Sequence, residues 1–259
     1  MQETSEVYKR LYAGIHRVET RVSIGDIGVL IDGRGNSITF GGTRILVARS
    51  GADAGFDESK LMSVSTIGQV FSHSKPEVGC CVSKELDIVM LKPSGDIPRM
   101  AQVVPYVRLT NGYEYSEWLQ KGVYYVDTRS SSNDNSSVTT LTMHCYDAML
   151  KSEKDYDGSN LSWPSTDIDV VRDIAALMDV QVESETLSAI SNGYSVQLPF
   201  GYTCREILGY IAAMYAGCFI MSDVGELKLV RLNSIPKETR YLVDNAGYVL
   251  TFGGTRIKV

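Results

Sequence analysis

The chain has 259 residues, of which 44% are hydrophobic and 22% are charged, as is typical of soluble proteins with one large domain or two modest ones. Its formal net charge of −6 argues against a stable nucleic-acid binder, which needs a basic surface. No apolar run approaches the roughly 18 residues that span a bilayer, so membrane insertion is not predicted.

A short helix is predicted first, and strands follow it. Within residues 3–13, apolar side chains recur at helical spacing. Five later runs have strand-like alternation or β-rich composition, and they are residues 16–30, 78–91, 97–109, 122–129 and 138–146. In the second run, Leu86, Ile88 and Met90 are predicted to share one face of a strand. The polar residues 130–137 predict a hairpin with a flexible tip.

Near Tyr146 the pattern changes, and helices begin to alternate with strands. One helix is predicted to begin after Thr166, with Asp169 three residues on. A second is predicted after Thr203, with Glu206 three residues on, and both pairs are typical of capping boxes. Further strands are predicted at residues 194–200, 218–222 and 226–232.

The predicted fold class is mainly β with an α+β part. Residues 1–145 are expected to form an antiparallel β-barrel-like domain, and residues 146–235 a smaller inserted α+β domain. Residues 236–259 are expected to return to β structure as a terminal hairpin.

The terminal hairpin partly repeats an earlier stretch. LIDGRGNSITFGGTRILV occupies residues 30–47, and LVDNAGYVLTFGGTRIKV occupies residues 242–259, an offset of 212 (242 − 30). Eleven of the eighteen aligned positions are identical. Each copy predicts a hairpin with an Asp/Gly turn, and the Gly-Gly pair in its second strand would allow a bulge or a close backbone approach.

Three interpretations of the repeat are open. Two edge strands of one domain have the same shape, or the chain holds two copies of one β-unit with equivalent roles. In the second case, a symmetric trimer would present six similar units. The third interpretation, a phosphate-binding loop, is disfavoured because such loops lead into a helix and these glycines lie between strand residues.

Residues that could carry catalysis are scattered. His16, His73 and His144 lie in unrelated contexts, and His144 should project to the face opposite Cys145. Two acidic groups are better explained by turn formation and by the positive end of a helix, and they are Asp155 with Asp157 and Asp167 with Asp169 and Asp173. No enzyme activity, metal site or cofactor is therefore predicted.

The five cysteines do not describe a disulfide framework, because their number is odd and their spacing irregular. They are Cys80, Cys81, Cys145, Cys204 and Cys218. Mostly buried, reduced thiols are predicted. Trp118 is predicted to be a packing residue, with an aromatic ligand platform as the alternative.

Several segments, in their order, resemble a known family. They are IPRMAQVVPYVRLTNG, SEWLQKGVYYVDTRSS, YDAMLKSEKDYDG, LSWPSTDIDVVRDIA, GYTCREILGYIAAMYAG and FIMSDVGELKLVRL. This order is similar to phage tail proteins, virion structural proteins from prophages of Gram-positive bacteria, which in turn look like baseplate hub proteins of the tail-hub superfamily. The resemblance covers about residues 7–232.

The resemblance implies a homotrimer in which two tube domains per chain imitate a sixfold tail tube. It implies an adaptor ring between the tail tube and the distal baseplate or spike, with a channel for DNA and tape-measure protein. The implied partners are further copies of the chain, the tail tube, the spike and the tape measure, with DNA only in transit. The implied location is the virion tail, after assembly in the host cytoplasm.

Eight residues of the repeat are predicted to form subunit or tube contacts, with the two arginines pairing to acidic groups on a neighbour. They are Phe40, Gly41, Gly42, Arg44, Phe252, Gly253, Gly254 and Arg256. The second copy supplies only one hairpin of a tube domain, so either the chain is part of a longer hub or the hairpin adds to an existing sheet. The alternative functions are the N-terminal part of a tail-associated cell-wall hydrolase and a host-surface binding module using Trp118 and the serine tip.

Overall fold

The computed structural model of the chain describes residues 4–25, 27–29, 39–40, 43–44, 46–48, 55–71, 75–93, 97–132, 139–190, 193–232, 251–252 and 255–256. Helix α1 (Glu6–Tyr12) opens the chain, as predicted, and Ser5 caps it by accepting a hydrogen bond from the Tyr8 backbone N–H. Twelve strands follow: β1 (Arg17–Ile24), β2 (Ile27–Val29), β3 (Thr39–Phe40), β4 (Thr43–Arg44), β5 (Leu46–Ala48), β6 (Gly55–Phe56), β7 (Leu61–Ile67), β8 (Glu85–Leu91), β9 (Gln102–Thr110), β10 (Leu119–Gln120), β11 (Tyr124–Ser132) and β12 (Thr140–Asp147).

Helices and short strands alternate in the remainder of the described chain. They are a 3-10 helix (Ala148–Glu153), β13 (Ser165–Thr166), α2 (Asp167–Leu177), α3 (Ser184–Ala189), β14 (Ser195–Val196), α4 (Cys204–Met214), β15 (Gly217–Met221), β16 (Leu227–Arg231), β17 (Thr251–Phe252) and β18 (Thr255–Arg256). The predicted change from β to α+β near Tyr146 is therefore confirmed. No helix in the described part of the chain is long and apolar enough to cross a membrane.

One eight-stranded antiparallel sheet dominates the first half. Its order is β6-β1-β9-β11-β12-β8-β7, and β10 also pairs with β9. The mainly β, antiparallel prediction is confirmed. Among the described residues, β6 and β7 do not pair with each other, so closure of this sheet into a barrel stays a prediction.

The sheet buries one face by strict alternation along β8. Leu86, Ile88 and Met90 are fully buried, as predicted, whereas Glu85 and Asp87 lie on the other face. Each such side chain stabilises the fold by about 1.5–3 kcal/mol, because its apolar surface leaves water. The same alternation in β1, β11 and β12 completes this core.

The serine-rich segment differs from its prediction. Ser130, Ser131 and Ser132 pair with Thr142, Leu141 and Thr140 in the β11–β12 ladder, so these serines extend a strand and are not part of a loop tip. A cross-strand partner supplies their backbone hydrogen bonds, which outweighs the preference of serine for turns. Residues 133–137 of the predicted tip lie outside the described residues.

A second core lies in the α+β part, where α2 and α4 pack over β15 and β16. The buried side chains of α4 include Ile207, Leu208 and Ile211, which recur at helical spacing. Thr203 and Glu206 form the predicted capping box, because the Glu206 N–H donates to Thr203 Oγ1 and the Thr203 N–H donates to Glu206 Oε2.

The segment between β7 and β8 joins the two cores. The Gly79 N–H donates to the Gly217 carbonyl at 2.8 Å, so this segment lies beside β15. Arg205 of α4 donates to Ser83 Oγ at 2.9 Å and to the Met149 carbonyl at 2.9 Å. Residues of the predicted first domain therefore contribute to the packing of the second, and the boundary at residues 145/146 stays a prediction.

Candidate functional site

The repeated sequence forms the same backbone pairing twice. In the first copy β3 and β4 pair Thr39 with Arg44 and Phe40 with Thr43. In the second copy β17 and β18 pair Thr251 with Arg256 and Phe252 with Thr255. The identical register confirms that the recurring TFGGTR stretch is a local hairpin unit in both places.

The Gly-Gly pair is predicted to lie in the second strand of each copy, after an Asp/Gly turn, and the glycines themselves lie outside the described residues. The residues that flank the pair are paired with each other in both copies. In the first copy, β2 and β5 form a further pair outside the hairpin, with Val29 opposite Leu46.

The predicted contact residues stay a prediction. Gly41, Gly42, Gly253 and Gly254 lie outside the described residues. Phe40, Arg44, Phe252 and Arg256 are placed by their backbone pairing alone. Among the described strands, β17 and β18 pair only with each other, so the suggested addition of the terminal hairpin to the main sheet is not observed there.

Strand β7 is the edge of the main sheet that sequence reasoning missed. Among the described strands it pairs only with β8, which leaves one side of a seven-residue strand without a neighbour. Its sequence, LMSVSTI, contains no charged residue and no proline. Met62 is 62% exposed and Ile67 47% exposed, so apolar side chains flank this open side. We call this feature the β7 edge.

The opposite edge of the sheet is protected in the usual way. Strand β6 covers β1 only at Val22 and Ser23. Beyond that pair β1 carries Arg17, Glu19 and Arg21, and charges at an edge disfavour pairing with another strand. The β7 edge has no such charges, which distinguishes it as a surface for strand addition.

The β7 edge is anchored on its inner face. Val64 packs against the sheet core and lies opposite Ile88 of β8. Ser63, Ser65 and Thr66 are exposed. The strand is therefore held in place by the core, and no described strand pairs with its outer backbone groups.

Trp118 lies in an arginine-rich cluster on the outer face of β1 and β9. The guanidinium carbons of Arg21 and Arg108 lie 5.1 Å and 4.5 Å from the centre of its ring. Arg108 also lies over Tyr115 at 4.4 Å and forms an ion pair with Glu19 at 2.7 Å. Trp118 is half-buried and packs against two cations, as its packing interpretation predicts, and the ligand platform stays an alternative.

Helix α1 is held over the end of this face by paired polar contacts. The Ser5 N–H donates to Glu117 Oε1 at 2.7 Å. Arg10 makes a bidentate contact with Glu114, with distances of 3.0 Å and 2.8 Å from Nη2 to the two carboxylate oxygens. Ile15 and Tyr113 remain 97% and 94% exposed at this end of the sheet.

Two of the three histidines lie in the described part of the chain, and each has its own local contact. His144 Nδ1 lies 2.5 Å from Asp87 Oδ1, and within the described residues this is the only hydrogen bond of its side chain. Cys145 is fully buried on the opposite face, as predicted. His16 Nδ1 lies 3.0 Å from the Gly14 carbonyl, and His73 lies outside the described residues.

The acidic groups behave as structural residues. Asp157 Oδ1 accepts hydrogen bonds from the Ser159 N–H and hydroxyl, which lower the pKa of Asp157 and form the predicted turn. Asp169 accepts from the Thr166 hydroxyl at the start of α2. In the described parts of the chain, no group of three or more His, Cys, Asp and Glu residues is placed to hold a metal ion.

Comparisons with known proteins add the following. No protein-family model matches the chain. No curated protein matches it. The solved structures similar to it include the 43 kDa tail protein of prophage MuSo2 from Shewanella oneidensis, at 12% identity and a TM-score of 0.46, covering 83% of this chain and 56% of that one.

Two further solved structures are similar at the same level. The tail protein from Neisseria meningitidis MC58 has 11% identity and a TM-score of 0.43, covering 90% of this chain and 53% of that one. The Francisella PdpA-VgrG complex has 6% identity and a TM-score of 0.43, covering 82% of this chain and 31% of that one. The chain thus spans between about a third and just over half of the length of these proteins, and identities and scores this low do not establish a common fold.

Proposed function

We propose that the chain is a structural component of a phage or prophage tail, at the hub or tip, whose copies assemble into an adaptor ring between the tail tube and the distal baseplate or spike. The observation that carries the assembly is the β7 edge. The sequence resemblance over residues 7–232 supports the assignment to a tail. No catalytic step is part of the proposal.

The β7 edge supports assembly for a physical reason. Along β7, every second residue directs its backbone N–H and C=O groups away from β8, where no described strand pairs with them. Such a row is a template for another strand, and folded proteins usually block it with charge, proline or a bulge. The register shift between Leu61 and Ser63 is the one such device present in β7. Pairing this side with a neighbouring copy would extend the sheet from one subunit to the next.

The repeated hairpin supports a ring of defined order. Contacts made by two different surfaces of one chain are heterologous, and they close into a ring when the rotation permits. Two equivalent hairpins per chain give six similar units in a trimer, the number that the resemblance implies for a match to a sixfold tube. The net charge of −6 disfavours retention of DNA, so DNA would be in transit through such a ring.

The assembly is tested by placing charge on the β7 edge. In Ser63→Lys/Ser65→Lys, two exposed serines become lysines that disfavour strand addition. Light scattering should give an oligomer, expected to be a trimer, for the wild-type chain of 28.5 kDa, and the variant should approach the mass of a monomer. Circular dichroism checks that the fold is retained.

The matched control is Thr140→Lys/Thr142→Lys, which adds the same charge to β12, a strand that is paired with β11 on one side and β8 on the other at both positions. This control should keep the wild-type mass. A monomeric wild-type protein across a concentration series, or an unchanged mass in Ser63→Lys/Ser65→Lys, would contradict the proposed assembly.

The alternatives are tested separately. Purified protein incubated with host cell walls should release no soluble peptidoglycan fragments, and release would favour the hydrolase alternative. Binding of host glycans by an isolated monomer would favour the host-surface module.

A further inference from the structure

Two cysteines that are distant in the sequence lie side by side where the β7–β8 segment meets β15. Cys80 is 7% exposed and Cys218 is fully buried. The backbone places them together, because Cys81 and Phe219 form a parallel β-bridge and the Phe219 N–H donates to the Cys80 carbonyl at 2.9 Å. Cys80 and Cys218 each come one residue before this bridge. Because the two segments run parallel, their side chains lie on the same face.

The two thiols also share one hydrogen-bond acceptor. The Cys218 Sγ lies 3.0 Å from the Glu77 carbonyl oxygen, and the Cys80 Sγ lies 3.8 Å from the same atom. Both sulfur atoms are thus directed at one point. Cys81 extends from the other face of its strand and packs against the α+β core.

Burial raises the pKa of the Cys218 thiol above its ordinary value. The Cys80 backbone N–H lowers this pKa and the Cys80 thiol raises it, so both groups are close enough to act on the Cys218 sulfur. A raised pKa leaves little thiolate at neutral pH, and thiolate is the form that reacts. The pair should therefore oxidise slowly near pH 7 and faster in alkaline solution.

We propose that Cys80 and Cys218 form a disulfide when the protein meets an oxidising small-molecule disulfide such as oxidised glutathione. The Cys80 thiolate, on the more exposed side chain, attacks one sulfur of oxidised glutathione and releases one glutathione thiolate. The Cys218 thiolate then attacks the Cys80 sulfur of the mixed disulfide and releases the second glutathione. Two protein thiols are oxidised to one disulfide, and oxidised glutathione is reduced to two glutathione molecules that take up the two protons.

The bond would join the β7–β8 segment to β15 and so fasten the main sheet to the α+β part. Because the two cysteines are 138 residues apart (218 − 80), the bond also restricts a long loop of the unfolded chain. Stability would then rise on transfer from a reducing to an oxidising environment.

The test uses the full chain treated with oxidised glutathione at about pH 8.5, where thiolate is more abundant. Remaining thiols are blocked with N-ethylmaleimide, the protein is digested without reduction, and the peptides are identified by mass spectrometry. A cross-linked pair containing Cys80 and Cys218 is expected, together with a rise in Tm of about 5–10 °C that dithiothreitol reverses.

Cys80 and Cys81 are adjacent and lie on the same peptide, so two variants are needed to show which of them forms the link. Cys81→Ser should retain the cross-link and the rise in Tm, whereas Cys80→Ser should lose both. The proposal is overturned if the wild-type chain forms no link to Cys218, or if the link persists in Cys80→Ser.

Discussion

Asp147 ends strand β12, and only 1% of its surface is exposed. Its carboxylate accepts hydrogen bonds from the Lys84 N–H at 2.8 Å and the Met149 N–H at 3.0 Å, so it ties the β7–β8 segment to the start of the 3-10 helix. Burial raises the pKa of Asp147 to about 6, although both hydrogen bonds and the charges of Lys84 and Arg205 lower it. Keeping the Asp147 carboxylate charged in this buried position therefore costs free energy, which its hydrogen bonds offset only in part.

This cost predicts a pH dependence of stability. The pKa of an aspartate in an unfolded chain is about 3.9, below the folded value of about 6. Between these pH values the folded protein binds more protons, so the contribution of Asp147 to the free energy of unfolding falls as the pH rises, by about 3 kcal/mol in total. Asp147→Asn should lack this decline, and urea unfolding of both proteins from pH 4 to pH 7 measures the difference.

Asp157→Asn is the matched control for this prediction. Hydrogen bonds from Ser159 lower the pKa of Asp157, so its carboxylate is ionised in both states above about pH 5. The stability difference between wild type and this control should not change with pH in that range. A constant difference between wild type and Asp147→Asn would show that Asp147 titrates normally.

At the scale of elements, helix α4 crosses the β7–β8 segment at two glycines. A Cβ atom added to Gly209 would lie 2.7 Å from the Gly79 carbonyl oxygen, closer than real Cβ contacts. Gly79 itself has a φ of +82°, a conformation that side chains rarely adopt. The two backbones therefore approach as closely as they do because neither residue has a side chain.

Gly209→Ala is expected to destabilise the fold by roughly 1–3 kcal/mol, because backbone atoms must move to admit the methyl group. The sign of the change in the free energy of unfolding is informative, because alanine at an exposed helix position would stabilise the helix by roughly 0.5–1 kcal/mol relative to glycine. Thermal or urea unfolding measures the change. Gly68→Ala is the control, because its Cβ would lie at an ordinary 3.7 Å from the Lys84 side chain. Equal stability of Gly209→Ala and wild type would contradict the close crossing.

Element-scale features were predictable where the signal is local. The capping box of Thr203 and Glu206 and the buried face of Leu86, Ile88 and Met90 depend on side chains a few positions apart. The β7 edge was missed because its small, mixed side chains show no clear alternation. An edge is also defined by which strand is absent beside it, and that depends on the whole sheet.

At the scale of the whole molecule, the repeat makes a prediction about assembly. Reversing the charges of Arg44 and Arg256 should lower the oligomer mass seen by light scattering, because both arginines are predicted to pair with acidic groups on a neighbour. The control reverses Arg99 and Arg172, whose side chains are 73% and 55% exposed and pair with Asp127 and Asp169 in the same chain. A mass unchanged by the first pair of substitutions would remove the repeat from the interface.

The oligomer masses of the arginine charge-reversal variant and of Ser63→Lys/Ser65→Lys, taken together, show whether the hairpins, the β7 edge or both hold the subunits together. Loss of mass in both variants indicates that the β7 edge and the repeated hairpins act in one interface or in successive ones. Loss only in the lysine variant indicates that strand addition alone holds the copies together. The two surfaces are thus tested independently of the tail assignment.

The sequence by itself determined the β-rich first half, the mixed α+β character of the part after Tyr146 and the existence of two like hairpins. These follow from side-chain periodicity and from identity over short stretches, which act locally. Only the tertiary structure decided that β7 is an edge among the described strands and that Cys80 lies beside Cys218. Each of these depends on which distant backbone supplies or withholds a hydrogen-bonding partner, and neighbouring residues carry no record of that choice.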